Sequence, residues 1–198
     1  MIEPPFWDHA LSKIPFCDDL LTQYPKIFKE LSSFILKNHP FMNYPKYGNL
    51  YSHTWEAFPL SIFEGEFIAL TKGQLGFDLD SFVKEARRHL PQISALISTL
   101  ESEGHLRNVF VSRLVPGSQI HPHRGWTPEF LRIHLGLVSD PLCKLTVGHE
   151  TRTWQAGGLL AFKDGGPYLH SVSHQGQHER IIMSVDLRMS YVTQFLSS

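Results

Sequence analysis

From Arg107 onward the chain takes on a period of two. RNVFVSRLV, FLRIHLGLV, CKLTV, GGLLAFK, YLHSVS and ERIIMSVDL are short runs rich in β-branched and aromatic residues. PGS, SDP, the GHETRTWQAGG segment, DGGP and HQGQH separate them, and each carries the residues that turn a chain. Successive side chains along a strand point to opposite faces. FLRIHLGLV therefore sets Leu131, Ile133, Leu135 and Leu137 on one face and Arg132, His134 and Gly136 on the other. The first face is core; the second is either solvated or turned into a cavity. Regularly spaced strands of this length predict a mainly β fold, a β-sandwich or jelly-roll barrel, over about 106–190.

Upstream the period is helical. Ile27, Phe28, Leu31 and Ile35 predict a short helix around Tyr24 to Leu36, and Asn38 to Gly76, rich in Pro, Gly, Tyr and Phe, reads as loop with short strands. From Asp80 to about Leu100, Phe82, Val83, Ala86, Leu90, Ile93, Leu96, Ile97 and Leu100 recur at helical spacing, with Asp80 placed to cap the start. Pro91 has no N–H to donate, so a break and two consecutive helices are expected there. These N-terminal helices, within about 1–105, are expected to pack on the outer face of one sheet. No join is long or biased enough in composition to be a linker, so 1–198 is expected to form a single domain.

A chain of 198 residues buries about 70% of its unfolded surface when folded, enough for one sizeable core. With 42% hydrophobic and 19% charged residues and a net charge of -1 it is globular in class. Lys and Arg occur singly or in pairs such as Arg87 and Arg88, which excludes the basic stripe a nucleic acid requires. No run approaches the roughly 18 apolar residues of a membrane span, and the start, MIEPPFWDHALSKIPF, has acidic residues and prolines where an export signal is basic and then apolar. A cytoplasmic location is the expectation. Cys17 and Cys143 match no metal or redox spacing and are expected to be reduced, apolar filling.

Chemistry concentrates in the histidines. HPHRG, His121 to Gly125, follows a strand and the PGS turn, and YLHSVS places His170 mid-strand beyond a Gly-rich turn. A jelly roll folds its strands back so that two such histidines can converge. An imidazole pair suits Fe(II) because it leaves several coordination positions open. A facial triad would add a carboxylate two residues after the first histidine, where this chain has Gly125. Taken alone, His123 and His170 read better as hydrogen-bonded strand residues, and His121 rivals His123 as the first ligand. Arg180 opens the last long strand, and a hairpin through His174 to His178 would bring it alongside the strand of His170, where it can clamp a carboxylate. His174 and His178 read as a solvated turn, and Asp164 as a turn former.

PGSQIHPHRG, LRIHLGL, TWQAGGLLAF, the DGG segment leading to His170, and ERIIMSVDL, in that order, resemble the aspartyl/asparaginyl β-hydroxylase family from about Val109 to Leu187, with a fainter match in WEAFPL. The resemblance implies a double-stranded β-helix, a cupin-like jelly roll, and iron held by two histidines without a carboxylate, so Gly125 fits the pattern. It makes His123 and His170 the iron ligands. Ser112 and Arg180 come to the distal carboxylate of 2-oxoglutarate, and Arg132 and His134 near its metal-bound carboxylate and the substrate. Phe130 departs from the family: members acting on acidic side chains tend to carry a second Arg there, and an aspartyl substrate bound in the same way is accordingly in question.

The activity implied is Fe(II)- and 2-oxoglutarate-dependent hydroxylation of an unactivated C–H by O2, on a peptidyl or small-molecule substrate such as an Asp or Asn β-carbon. Trp126, Tyr168 and the stretch from Phe41 to Phe63 are candidates for pocket walls. Two other readings stand beside it. One is a non-catalytic cupin-like metal-binding module. The other is an oxygenase of the same fold doing halogenation or another oxidation, the missing carboxylate leaving room for halide.

Overall fold

The structure, a computed structural model, describes residues 3–45, 48–62 and 78–196. One turn of helix, α1 (Asp8–Leu11), leads into α2 (Pro15–Asn38). Helix α2 begins well before the predicted Tyr24, because Phe16, Cys17 and Leu20 continue the buried stripe of Ile27 and Leu31. Pro25 therefore lies inside the helix, and burial of that stripe outweighs the roughly 3 kcal/mol that an interior proline costs.

The second helical region forms α3 (Leu79–Arg88) and α4 (Pro91–Ser102), with the break at Pro91 as its missing N–H requires. The cap of α3 is Asp78 rather than the predicted Asp80. Its Oδ1 accepts the Asp80 N–H at 3.1 Å and its Oδ2 the Ser81 hydroxyl at 2.7 Å. A capping residue keeps an extended backbone, which Asp78 has (φ -78°, ψ 111°), whereas Asp80 already lies within the helix.

The strands before α3 are β1 (Met42–Asn43), β2 (Tyr51–Ser52) and β3 (Trp55–Ile62). The reading of Asn38 to Gly76 as loop with short strands fits as far as Ile62, although β3 is 8 residues long; 63–76 lies outside the described residues. After α4 come β4 (Leu106–Leu114), β5 (Gln119–His123), β6 (Phe130–Val138), β7 (Cys143–Val147), β8 (Glu150–Thr153), β9 (Leu159–Lys163), β10 (His170–His174) and β11 (Arg180–Arg188), then α5 (Met189–Leu196).

The strands form a six-stranded sheet, β1-β3-β4-β11-β6-β9, and a five-stranded sheet, β2-β5-β10-β7-β8, with every neighbouring pair antiparallel. From β4 onward the chain passes repeatedly between the sheets, which makes the predicted jelly roll a double-stranded β-helix. One consequence corrects the sequence reading. Strands β10 and β11 belong to different sheets, so the segment from His174 to His178 is a crossover and not a hairpin. Arg180 reaches the strand of His170 from across the sandwich.

Two cores follow from the alternation. Leu131, Ile133, Leu135 and Leu137 of β6, with Val109 and Val111 of β4 and Met183 and Val185 of β11, face the helices; Ile27, Leu31, Ile93 and Ile97 cover them. The helices thus pack on the outer face of the six-stranded sheet, as predicted. The second core, between the sheets, holds Trp55, Leu114, Ile120, Cys143, Leu145, Trp154, Phe162, Val172 and Ile182. Both cysteines are buried free thiols, and burial pushes Cys17 up to about 12. Among the described residues no helix is long and apolar enough to cross a membrane.

Candidate active site

The inner faces of the two sheets meet around a narrow cavity whose polar lining comes from Ser112, His123, Arg132, His134, His170 and Arg180. All six residues singled out from the sequence are therefore brought together. The period of two explains why: Ser112 shares the inner face of β4 with Phe110 and Leu114, and Arg132 and His134 share that of β6.

His123 ends β5 and His170 begins β10, directly opposite each other in the antiparallel register. Their ring centroids are 4.1 Å apart. His123 Nδ1 lies 2.8 Å from the His121 carbonyl, which can only accept, so Nδ1 carries the proton and Nε2 keeps its lone pair. Burial, followed by the neighbouring His170, pulls His123 down to about 4, which holds it neutral at ordinary pH. His121 serves through its carbonyl, and its ring is not among the residues lining the cavity.

On β6, His134 Nδ1 accepts the Trp154 indole N–H at 3.2 Å, leaving the proton on Nε2. Burial, then the cations of Arg132 and Arg180, hold its imidazole far below its ordinary value and neutral. Arg132 is held on two sides. Its Nε and Nη2 donate to Asp186 at 2.7 and 2.9 Å, and its Nη1 donates to Asp164. Burial opposes the charge on Arg132, but the two carboxylates raise it well above its ordinary value.

At the other end of the cavity Arg180 is 1% exposed and stacks over Trp154 at 4.9 Å. Its Nη1 donates to Ser112 Oγ at 3.1 Å and to the Ser112 carbonyl at 3.3 Å, and Trp55 Nε1 donates to the same hydroxyl at 2.9 Å. Its Nε has no partner. Among the described residues no carboxylate pairs with it, and burial draws it below its ordinary value.

Asp164 was read as a turn former, and the structure gives it a further position. It leaves the turn after β9 and points inward, with Oδ1 3.2 Å from His170 Nε2 and bonded to Arg132. Burial would raise its pKa, but Arg132, then His170 and His123, hold it well below the usual carboxylate range. Gly125 makes the room: a Cβ there would lie 1.8 Å from Asp164 Oδ2. Asp186 was also missed, although it shares a strand face with Arg180, Ile182 and Ser184 and the period of two would have placed it inward. His174 was assigned to a solvated turn; it is the last residue of β10 and 1% exposed, while His178 is exposed. Trp126 and Tyr168 do not line the cavity, whereas Trp55 does, with Tyr44 stacked on it at 3.7 Å.

Among the described residues no three His, Cys, Asp or Glu side chains form a metal-holding cluster. The donor set is thus two imidazoles, that of His123 held neutral, with Asp164 turned to Arg132 and His170. That set fits a divalent iron that keeps open positions, and the unpaired Arg180 fits an organic anion beside it.

The fold and this inward histidine pair define a double-stranded β-helix protein of the cupin type with a polar cavity between its sheets. The sequence profile described as aspartyl/asparaginyl beta-hydroxylase matches residues 22–189, and the chain belongs to that family. Aspartyl/asparaginyl beta-hydroxylase of Mus musculus is 34% identical over 127 residues, covering 63% of this chain and 16% of the relative. Aspartate beta-hydroxylase domain-containing protein 2 of Homo sapiens is 40% identical over 83 residues, 40% of this chain and 22% of the relative. The chain thus spans less than a quarter of the length of either. Among solved structures, a cupin-like protein of Thermotoga maritima matches with TM-score 0.44 and 10% identity over 76% of this chain and 82% of that one.

Proposed function

We propose that the chain is an Fe(II)- and 2-oxoglutarate-dependent hydroxylase, with His123 and His170 as its iron ligands. The observation that carries this reading is Arg180: a buried cation with an unpartnered Nε and no carboxylate, in the cavity that also holds the histidine pair. An uncompensated buried charge is costly unless a ligand supplies the counter-charge. The distal carboxylate of 2-oxoglutarate is such a ligand, and Ser112 is bonded to the same guanidinium.

Fe(II), 2-oxoglutarate and O2, when bound, supply an oxidative decarboxylation to succinate and carbon dioxide that is coupled to hydroxylation of a C–H bond. The chain's own residues prepare for it. His123 presents Nε2 because His121 holds Nδ1, and His134 offers the Nε2–H that Trp154 fixes, a neutral donor for the cosubstrate's other carboxylate. Trp55, Phe162 and Val172 exclude water around these groups.

On the far side of Arg132 and Phe110 lies a second small cavity, lined also by Tyr44, Asn108 and Asp164, and this is where a peptidyl or amino-acid-like substrate would present its C–H. The halogenation reading needs open space beside Gly125, and Asp164 fills it.

The test is anaerobic titration of metal-free protein with Fe(II) and then 2-oxoglutarate, following the visible charge-transfer band of the chelate. The band is expected in the wild type and lost in His123→Ala. Folded, iron-loaded protein without the band would move the assignment to a binding module.

A further inference from the structure

Behind the Arg180 end of the cavity sits a second unpartnered donor, on a residue packed against the lining rather than part of it. His170, Val172 and His174 alternate along β10 and share its inner face, so His174 continues the row that begins at the metal pair. Its cross-strand partner is Cys143, in the core between the sheets, and the Cys143 thiol lies against Arg180. His174 is 1% exposed. Its Nδ1 accepts the Gly176 N–H at 3.3 Å, so in the neutral ring the proton sits on Nε2. That Nε2 is buried and has no partner. Asp140, the carboxylate nearest this end, is taken up by the N–H groups of Leu142, Gln177 and His178.

Arg180 Nε and His174 Nε2 are therefore two buried donors without a hydrogen-bond partner, and His174 lies close enough to Arg180 to feel its charge. Buried polar groups in native proteins are nearly always satisfied, so an orphan calls for a water, an ion or a ligand that completes it. Both orphans here are donors, which asks for an acceptor with more than one lone-pair site. A carboxylate is the simplest.

We propose that His174 is a positioning residue for the cosubstrate, donating from Nε2 to the distal carboxylate that Arg180 holds, either directly or through one ordered water. This rests on the reading of the cavity as a 2-oxoglutarate site. It deepens that reading by making recognition of the far carboxylate a task shared by Arg180, Ser112 and His174.

The experiment measures binding rather than turnover, anaerobically on the full-length, Fe(II)-loaded chain, by calorimetry. The probes are 2-oxoglutarate and 2-oxopentanoate, which is the same length but ends in a methyl group. His174→Asn keeps an acceptor for the Gly176 N–H and loses the far donor. His174→Gln places an amide N–H near the position of Nε2. His174→Asn is expected to weaken 2-oxoglutarate about tenfold or more, as loss of a hydrogen bond to a charged group does. It should leave 2-oxopentanoate unchanged, and His174→Gln should recover most of the loss.

Wild-type 2-oxoglutarate affinity in His174→Asn would overturn the proposal, as would equal weakening of both probes, which marks a purely structural role. If His174→Asn does not fold, His174→Gln decides alone: it must keep the wild-type preference for 2-oxoglutarate over 2-oxopentanoate. A wild type that shows no such preference would instead sink the cosubstrate reading itself.

Discussion

Asp164 occupies the space that a side chain at position 125 would need: a Cβ on Gly125 would fall 1.8 Å from Asp164 Oδ2 and 2.5 Å from its Cγ. The two positions are mutually exclusive places for a carboxylate beside His123 and His170. In this chain the carboxylate comes from the turn after β9, and its charge is shared with Arg132 and His170.

Gly125→Ala adds one carbon and no charge, so it isolates this steric relationship. Overpacking a filled site costs about 1–3 kcal/mol, and the displacement falls on the ion pairs of Asp164. The expected outcome is a lower melting temperature together with weaker Fe(II) binding, by about tenfold, in anaerobic titration. Gly125→Ala combined with Asp164→Gly should relieve the overlap but restore neither the ion pair of Arg132 nor its arrangement with His170. Wild-type iron affinity in Gly125→Ala would mean that Asp164 moves aside freely.

Arg180→Leu separates binding from stability. Removing the guanidinium should weaken 2-oxoglutarate by about 10- to 100-fold, the range for charge-assisted hydrogen bonds. The ligand-free protein should melt no lower than the wild type, because an apolar side chain replaces a buried cation that has no counter-ion. Thermal melts with and without 2-oxoglutarate read both effects, and a variant that melts well below the wild type without ligand would contradict the unpaired-charge account.

The lowered histidines set a pH dependence with a definite sign. Burial, then His170, takes His123 from 6.5 to about 4, and burial is also the leading cause that lowers His134 and His174. As pH falls through 6.5 the unfolded chain takes up these protons, while the folded chain refuses that of His123 until about 4. The unfolded state binds more protons across this window, so stability falls as pH falls. Metal-free protein should lose melting temperature from pH 6.5 toward 4, before the depressed Asp164 begins to matter below 3.8. A flat profile across that window would show that these rings are solvated.

Much of this site was legible because strand parity is a strict rule. One alternating run, FLRIHLGLV, set four aliphatic residues on the core face and Arg132 and His134 on the other, and the family resemblance turned that second face toward a cavity. The same rule applied to ERIIMSVDL puts Asp186 beside Arg180, and applied to YLHSVSH puts His174 in line with His170. There HQGQH read as turn composition and hid a buried strand residue. Asp164 was harder. Its role depends on empty space at Gly125, far off in sequence, and only the approach of two loops creates that relationship. The crossing from β10 to β11 was missed because a short polar segment with one glycine, Gly176, suits a hairpin and a change of sheet equally well.

Asp186 is expected to act on the fold where Asp164 acts on the site. It is 2% exposed and receives Arg132 through two bonds and Asn108 Nδ2 at 3.3 Å. Asp186→Ala leaves a buried guanidinium with Asp164 as its remaining carboxylate. Breaking one partner of a buried pair costs about 3–5 kcal/mol, equivalent to about 6–20 °C of melting temperature at this chain length. Asp164→Asn keeps the shape of its side chain and the Arg132–Asp186 pair, so its loss should appear in iron affinity more than in the melt. Denaturant and thermal unfolding of the two variants, beside their Fe(II) titrations, would resolve the roles. If Asp186→Ala melts like the wild type, Asp164 alone suffices to hold Arg132, and the two carboxylates are redundant in the fold.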